Sequence, residues 1–259
     1  MHLHYHPEIE LTLILQGRGM RLVGDGIAPF DPGDLCLLGG NLLHSWHTGN
    51  EPLPTQAIVL QVDPQLLTRA GELWPEFRRL SELPTQCARG VGFSGKQATD
   101  IATFLTQAAE APEASAKRLT FALLALHAAC DATDVSYLAT TGAIPPQAAG
   151  AMARFGRIID TLHKYMPQAP DQAALADQAR MSPAAFSRYF KRFVGRTYVD
   201  YVNAWRVGLA CRQLLQSDRP ITQIAFDCGF ENLSNFNRRF RHYKRMTPRE
   251  YRARYSHGA

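Results

Sequence analysis

The sequence predicts a two-domain chain: an N-terminal β-barrel of jelly-roll type with added helices, then an all-α unit containing two helix-turn-helix motifs. Three observations predict it. Short apolar segments separated by glycine-bearing turns fill the first 62 residues. A whole helix-turn-helix pattern occurs twice within residues 171–252. The charge is also split, with 19 Lys and Arg against 8 Asp and Glu in residues 151–259, but 9 against 15 before them. The expected boundaries are 1–135 for the first domain, 136–150 for a linker and 151–255 for the second.

The strands come first. Residues 8–15, 20–23, 35–38 and 57–62 have strand character, and the turn signals GRG, GDG and PGD lie between the first three. In an extended segment His4, His6 and Glu10 share a face with His2 and Glu8, while Leu3, Ile9, Leu11 and Leu13 point the other way. A polar face in water and a polar lining of the barrel interior both satisfy that alternation. Arg18 and Arg21 lie in and after a turn, which favours solvated side chains.

Helical spacing follows in residues 63–79 (Leu66, Leu67, Leu73, Phe77), 95–110 (Ile101, Phe104, Leu105) and 116–130, where His127 reads as a packed helix residue. Residues 133–150 have the Pro, Gly and small polar content of a linker. Helical spacing resumes at Phe155, Ile158, Ile159 and Leu162.

In the second half, Asp171 caps a short Ala/Leu helix, and Ser182 followed by Pro183 starts another that runs to about Gly195. Phe186, Phe190 and Phe193, at i, i+4 and i+7, give that helix one buried face. A shift of 50 superposes Phe186, Arg188, Phe190 and Lys191 on Phe236, Arg238, Phe240 and Arg241. A shift of 49 brings Leu175 and Ala176 onto Ile224 and Ala225, so the second copy has one extra residue near its turn. Residues 197–215, with Val202, Trp205 and Leu209 at helical spacing, join the copies as a helix roughly 28 Å long. Successive major grooves of B-DNA are about 34 Å apart, so such a rod lets one chain read two groove segments.

Composition narrows the class. A chain of 259 residues is long enough for two cores. Its five cysteines are scattered and odd in number, which argues against a disulfide framework or zinc finger and for a reducing compartment. The sequence contains no apolar run of membrane-spanning length and no basic-then-apolar leader. The expectation is a soluble, cytoplasmic protein with no membrane partner, whose basic half binds nucleic acid.

FSRYFKRFVGRT, the joining helix with its RVGLA, and ITQIAFDCGFENLSNFNRRFRHYKRMTPREYR resemble the AraC/XylS family of transcription regulators over about 100 residues. The resemblance implies base contacts from Ala184, Ser187 and Arg188 in the first recognition helix and from Ser234, Asn237 and Arg238 in the second. Chemically, Arg pairs with guanine and Asn with adenine bidentately, whereas Ala and Ser offer less, so the second head is the richer reader. Asn235 is a further candidate; Lys191, Arg192, Arg239, Arg241, Lys244 and Arg245 suit phosphate. Tyr198 departs from the family, where many members carry Pro or Phe, and should change a packing contact.

Near the N-terminus, HYHPEIELTLILQG is similar to the first cupin motif and PGDLCLLGGNLLHSWH, more loosely, to the second. Leu43 replaces a frequent Pro there, and the usual downstream Asn is absent. The chain begins very near the first motif, where cupins normally carry preceding sequence. The resemblance implies that His4, His6, Glu10 and His44 bind a divalent metal, residue types suited to iron, manganese, nickel or zinc. Sensor cupins in regulators commonly recruit the same pocket for an organic effector instead, which Trp46 would stack upon.

Together these readings give a DNA-binding transcription regulator, by family habit more often an activator. It would respond to a small-molecule effector, with sugar the class favoured by family habit and a polar pocket. Its partners would be double-stranded promoter DNA, the effector, RNA polymerase and a second copy, the last through the helices after the barrel if these do not simply cover it. Two rivals differ in class: a metal-dependent cupin enzyme or metal-sensing regulator fused to a DNA-binding domain, and an architectural DNA-binding protein. No catalytic residue is assigned.

Overall fold

The computed structural model describes residues 3–48, 54–142 and 149–255. The N-terminal strands are β1 (Ile9–Gln16), β2 (Gly19–Val23), β3 (Gly26–Phe30), β4 (Leu35–Leu38), β5 (His44–His47), β6 (Gln56–Val62), β7 (Val91–Phe93) and β8 (Val135–Tyr137). They form a five-stranded sheet ordered β6-β1-β4-β7-β8 and a three-stranded sheet ordered β3-β2-β5. The sandwich interior holds Ile14, Val23, Phe30, Cys36, Leu38, Leu42 and Trp46.

Several segments differ from the sequence expectation: β5, β7 and the helices Leu83–Gln86 and Pro248–Tyr255 were not expected, and three others have a clear physical reason. β3 was not expected, because prolines at 29 and 32 flank its end; it is an edge strand, where a missing N–H is tolerated, and Pro29 pairs with Met20. The helix expected over 63–79 is α1 (Pro64–Leu73), which stops where Trp74, ahead of Pro75, takes an extended conformation. A single 3-10 turn, Pro75–Phe77, follows. Within the stretch expected as linker, Val135–Tyr137 pairs with β7, Ala139 N–H donates to Arg89 O, and Thr140 is bonded to Asp25. Residues 143–148 lie outside the described residues.

Beyond α1, helices α2 (Leu83–Gln86), α3 (Gly95–Glu110) and α4 (Ala116–Asp131) complete this unit. Ile101, Leu105, Ala125, Leu126 and Ala129 of α3 and α4 pack on Ile9, Leu11, Leu13, Leu35 and Leu37. The helices therefore cover the outer face of the larger sheet, which leaves the polar face of β1 to the interior.

The C-terminal unit contains α5 (Ala149–Tyr165), α6 (Gln172–Gln178), α7 (Pro183–Val194), α8 (Tyr198–Gln216), α9 (Ile221–Asp227), α10 (Leu233–Lys244) and α11 (Pro248–Tyr255). At 19 residues α8 is about 28 Å long. Phe155, Phe186, Phe190, Phe193, Tyr201 and Trp205 share one core with Leu3, Met20, Leu22 and Leu43 of the sandwich, and it is chiefly α8, at the base of the first head, that lies on the outer face of the smaller sheet. The second has its own core of Ile224, Phe230, Phe236 and Phe240 against Val207, Cys211 and Leu214 of α8.

All five cysteines are buried and unpaired by disulfide. Among the described residues no helix is long and apolar enough to cross a membrane.

Phe190 and Phe240 hold equivalent positions in different cores, and both are fully buried. Replacing either by Ala should cost about 3–5 kcal/mol. Urea unfolding should show Phe190→Ala lowering the transition shared with the sandwich, and Phe240→Ala splitting off an early transition of the second head.

Candidate nucleic-acid interface and effector site

The two heads are built by the same local devices. Asp171 caps α6 through Ala173 N–H (3.1 Å), Ser182 caps α7 through Ala185 N–H (3.3 Å) and Asn232 caps α10 through Asn235 N–H (2.8 Å). Each turn closes with a matching backbone bond, Met181 N–H to Ala176 O (2.9 Å) and Phe230 N–H to Ala225 O (3.1 Å). Arg180 and Gly229, equivalent by a shift of 49, both have positive φ (53° and 83°). Past the turn the shift becomes 50, since Ser182 matches Asn232 as cap. The extra residue of the second copy is therefore Glu231. Gly195 and Arg245, again 50 apart, close the recognition helices in the left-handed region.

These caps aim the first turns of α7 and α10 outward. Ala184, Ser187, Arg188, Lys191 and Arg192 are exposed on α7, as are Ser234, Asn237, Arg238 and Arg241 on α10. Ser187 is partly committed: its hydroxyl donates to Pro183 O (2.9 Å) and accepts from Gln172 (2.8 Å). Asn235 is half-buried, and its Oδ1 accepts from the Arg238 guanidinium (3.0 Å), so it braces that arginine. Arg239 and Lys244 are half-buried, whereas Arg245 is exposed at the cap. Tyr198, the departure from the family pattern, donates its hydroxyl to Pro170 O.

In the sandwich, His4, His6, Glu10 and His44 each offer a ligand atom within 4.8 Å of the others. His4 and His44 are joined by reciprocal backbone bonds of 3.1 and 2.9 Å, with ring centroids 4.2 Å apart. Glu10 accepts from Thr12 (2.6 Å) and Gln61 (3.0 Å), and its Oε2 lies 2.9 Å from His6 Nε2. Burial works to raise the Glu10 carboxyl, but the hydrogen bonds from Thr12, Gln61 and His6 and the electrostatic interaction with His44 outweigh it, so Glu10 is held below the ordinary value. His44 is pushed down to about 4, first by burial and then by His4.

The donor set fits a divalent ion. Nδ1 of His44 bonds Leu42 O at 2.7 Å, which leaves Nε2 with its lone pair toward the cluster. Among the described residues that buried Nε2 has no hydrogen-bond partner, and an oxygen of Glu10 lies 3.8 Å away. Bound ion would accept the lone pair and supply fixed positive charge for an oxygen-bearing ligand.

Trp46 is buried in the interior beside His44, with ring centroids 5.8 Å apart. Arg21, expected to be solvated, is 8% exposed and faces the interior opposite Trp46. It donates to both Asp34 carboxylate oxygens (2.5 and 2.6 Å) and lies 2.8 Å from the Cys36 sulfur. Parity with Val23 was the available signal. It was hidden because Met20 and Leu22 on the opposite face of β2 are apolar too. Arg18 remains exposed, near Asp31.

Residues 175–254 match the family described as helix-turn-helix domain, and residues 1–129 the AraC-like ligand binding domain. The HTH-type transcriptional activator RhaS of Escherichia fergusonii is 34% identical over 100 residues, 39% of this chain and 36% of that protein. The aligned segment thus spans about a third of that relative. RhaS of an Enterobacter species (strain 638) is 24% identical over 254 residues, 96% of this chain and 86% of the relative. Among solved structures, the DNA-binding domain of AdpA in complex with a target DNA is 28% identical, covering 38% of this chain and 89% of that one, with a TM-score of 0.36.

In metal-free protein His44 stays neutral when folded but binds a proton near pH 6.5 when unfolded. Its contribution is therefore present above about pH 6.5 and lost as pH falls toward 4, on the order of 3 kcal/mol. Stability measured by urea titration at a series of pH values should fall less steeply over that window in His44→Gln.

Proposed function

We propose that this chain, which belongs to the AraC family of transcription regulators, activates transcription from promoter DNA in response to a small-molecule effector bound in its sandwich domain. It is a regulator rather than an enzyme. The observation that carries the reading is the duplicated head: two recognition helices with exposed Ser187/Arg188 and Asn237/Arg238 at equivalent positions, held by one 19-residue helix. Ala184, Ser187, Arg188, Ser234, Asn237 and Arg238 take the bases, with Asn235 bracing Arg238. Lys191, Arg192 and Arg241 take phosphates. Activation is supported by the RhaS relatives, both described as transcriptional activators.

The domain boundary falls near residues 140 to 150. A second copy would dock on the helical face, where Leu66, Leu73, Trp74 and Leu119 are exposed, and RNA polymerase would be the downstream partner. The setting is the cytoplasm. The effector would be a sugar or similar polyol, recognised by Glu10, Arg21 and the face of Trp46, since such a ligand presents hydroxyls to charged groups and a C–H face to an aromatic ring. Its binding would stabilise one arrangement of the two domains and so change DNA affinity.

A second reading, metal sensing or metal-assisted effector binding, is favoured by Nε2 of His44, which has no hydrogen-bond partner among the described residues and lies within the His4, His6, Glu10 cluster. Elemental analysis of protein purified without chelator or metal-binding tag should find one equivalent of divalent metal, lost in His4→Ala/His6→Ala. Metal-free, folded wild-type protein would leave the organic effector alone.

On a DNA duplex selected by the protein from a random pool, Arg238→Ala or Asn237→Ala should reduce preference over unrelated sequence by about 1–3 kcal/mol. Arg241→Ala should weaken all sequences nearly equally. Identical behaviour of the two kinds of variant would reject the division between base and phosphate contacts, and no sequence preference in the wild type would reject the regulator itself.

A further inference from the structure

Between the two heads the surface is a cleft floored by α8. A cavity of about 600 Å³ has Asn203 and Arg206 on its floor and Ser234, Asn235 and Arg238 on the wall formed by the second recognition helix. The same two α8 residues floor a neighbouring cavity of about 230 Å³ that reaches Gln172. Gln172 in turn bonds Ser187 on the first recognition helix. A channel thus runs from one reading head to the other across the N-terminal half of α8.

A duplex that gives one major-groove segment to each head carries the backbone bordering the intervening minor groove past the span between them, which is where this channel lies. The floor offers one cation. Asn203 is 6% exposed, and its amide is spent on Val199 O at 2.7 Å. Arg206 is half-buried, with Nε donating to Pro167 O at 2.9 Å and the guanidinium 6.0 Å from the Phe230 ring centroid. These contacts fix the guanidinium without using its terminal nitrogens, for which there is no hydrogen bond among the described residues. Glu231 also lines the cleft, but among the described residues no carboxylate lies within 4 Å of Arg206.

We infer that this channel seats the DNA backbone between the two major-groove segments, and that Arg206 holds a phosphate there. α8 is then a third contact element rather than only a spacer. A pre-positioned, half-desolvated guanidinium suits a phosphate, which accepts two of its N–H groups side by side. The inference rests on both heads engaging one duplex.

The test uses the full-length protein and a duplex it selects from a random pool. Binding is measured from 50 to 300 mM NaCl, about the working range for counterion release, for wild type, Arg206→Gln and Arg206→Lys, together with phosphate-ethylation interference. Arg206→Gln should weaken binding about tenfold and reduce the slope of log K against log salt by about one. It should also erase interference midway between the two blocks of major-groove contact, while Arg206→Lys should keep the slope. Weaker binding by Arg206→Gln with an unchanged slope would make Arg206 a packing residue and overturn the inference. Two major-groove blocks with no midway interference in the wild type would overturn it while leaving the two-headed reading intact. A single block would overturn both.

Discussion

The arrangement of the molecule depends on one apolar contact, the packing of α8 and the core of the first head onto the outer face of the sheet β3-β2-β5. Leu3, Met20, Leu22 and Leu43 are 7% exposed or less, because Phe155, Phe190, Tyr201, Trp205 and their neighbours cover them. A small open sheet would otherwise present those side chains to water, at roughly 25 cal/mol for each Å² of apolar surface. The approach is close: a β-carbon on Gly208 of α8 would collide with the end of the Met20 side chain. Polar contacts border the same interface. Asp25 accepts from Thr140 (2.8 and 2.5 Å) and faces Arg196 at 3.8 Å, and His163 bonds the Tyr201 hydroxyl at 2.7 Å.

That contact gives strand β5 two audiences. His44 and Trp46 point into the sandwich with the cluster and the interior, while His47 points outward, 4.5 Å from the His163 ring and 5.7 Å from Trp205. Leu3 and Leu43, in the shared core, are the chain neighbours of the cluster residues His4 and His44. Side chains on consecutive extended residues face opposite ways, so moving a cluster residue displaces a core residue packed on the head. Burial pushes His163 well below its ordinary value, so it is neutral in this interface, a hydrogen-bonding partner rather than a charge.

Duplication does not make the heads equivalent. The first shares its core with the sandwich and the second has its own, while the joining helix itself lies against β2 and β3. The joining helix belongs to both cores, with Tyr201 and Trp205 in one and Val207 and Leu214 in the other. Matched helix ends, Thr197 bonding Asp200 N–H and Thr247 bonding Glu250 N–H, keep the two copies alike just past their recognition helices.

The sequence by itself determined what is local or repeated. Caps at Asp171 and Ser182, the phenylalanine face of α7 and the shift between copies are short-range patterns, and they placed the helices of the heads and their outward residues. The alternation around His4, His6 and Glu10 grouped those side chains on one face, but only the helices covering β1 from outside turned that face to the interior and brought His44 to it. Tertiary structure alone decided the rest. β2 is buried on both faces because a head from the other end of the chain lies on it, so its alternation was silent and Arg21 read as a surface residue. β3 pairs through an edge that tolerates Pro29, and α8 forms a channel floor only because two heads flank it. The burial of β2 comes from surfaces meeting across more than 100 residues of chain, and the channel from two heads brought together only by folding, so no window of local sequence records them.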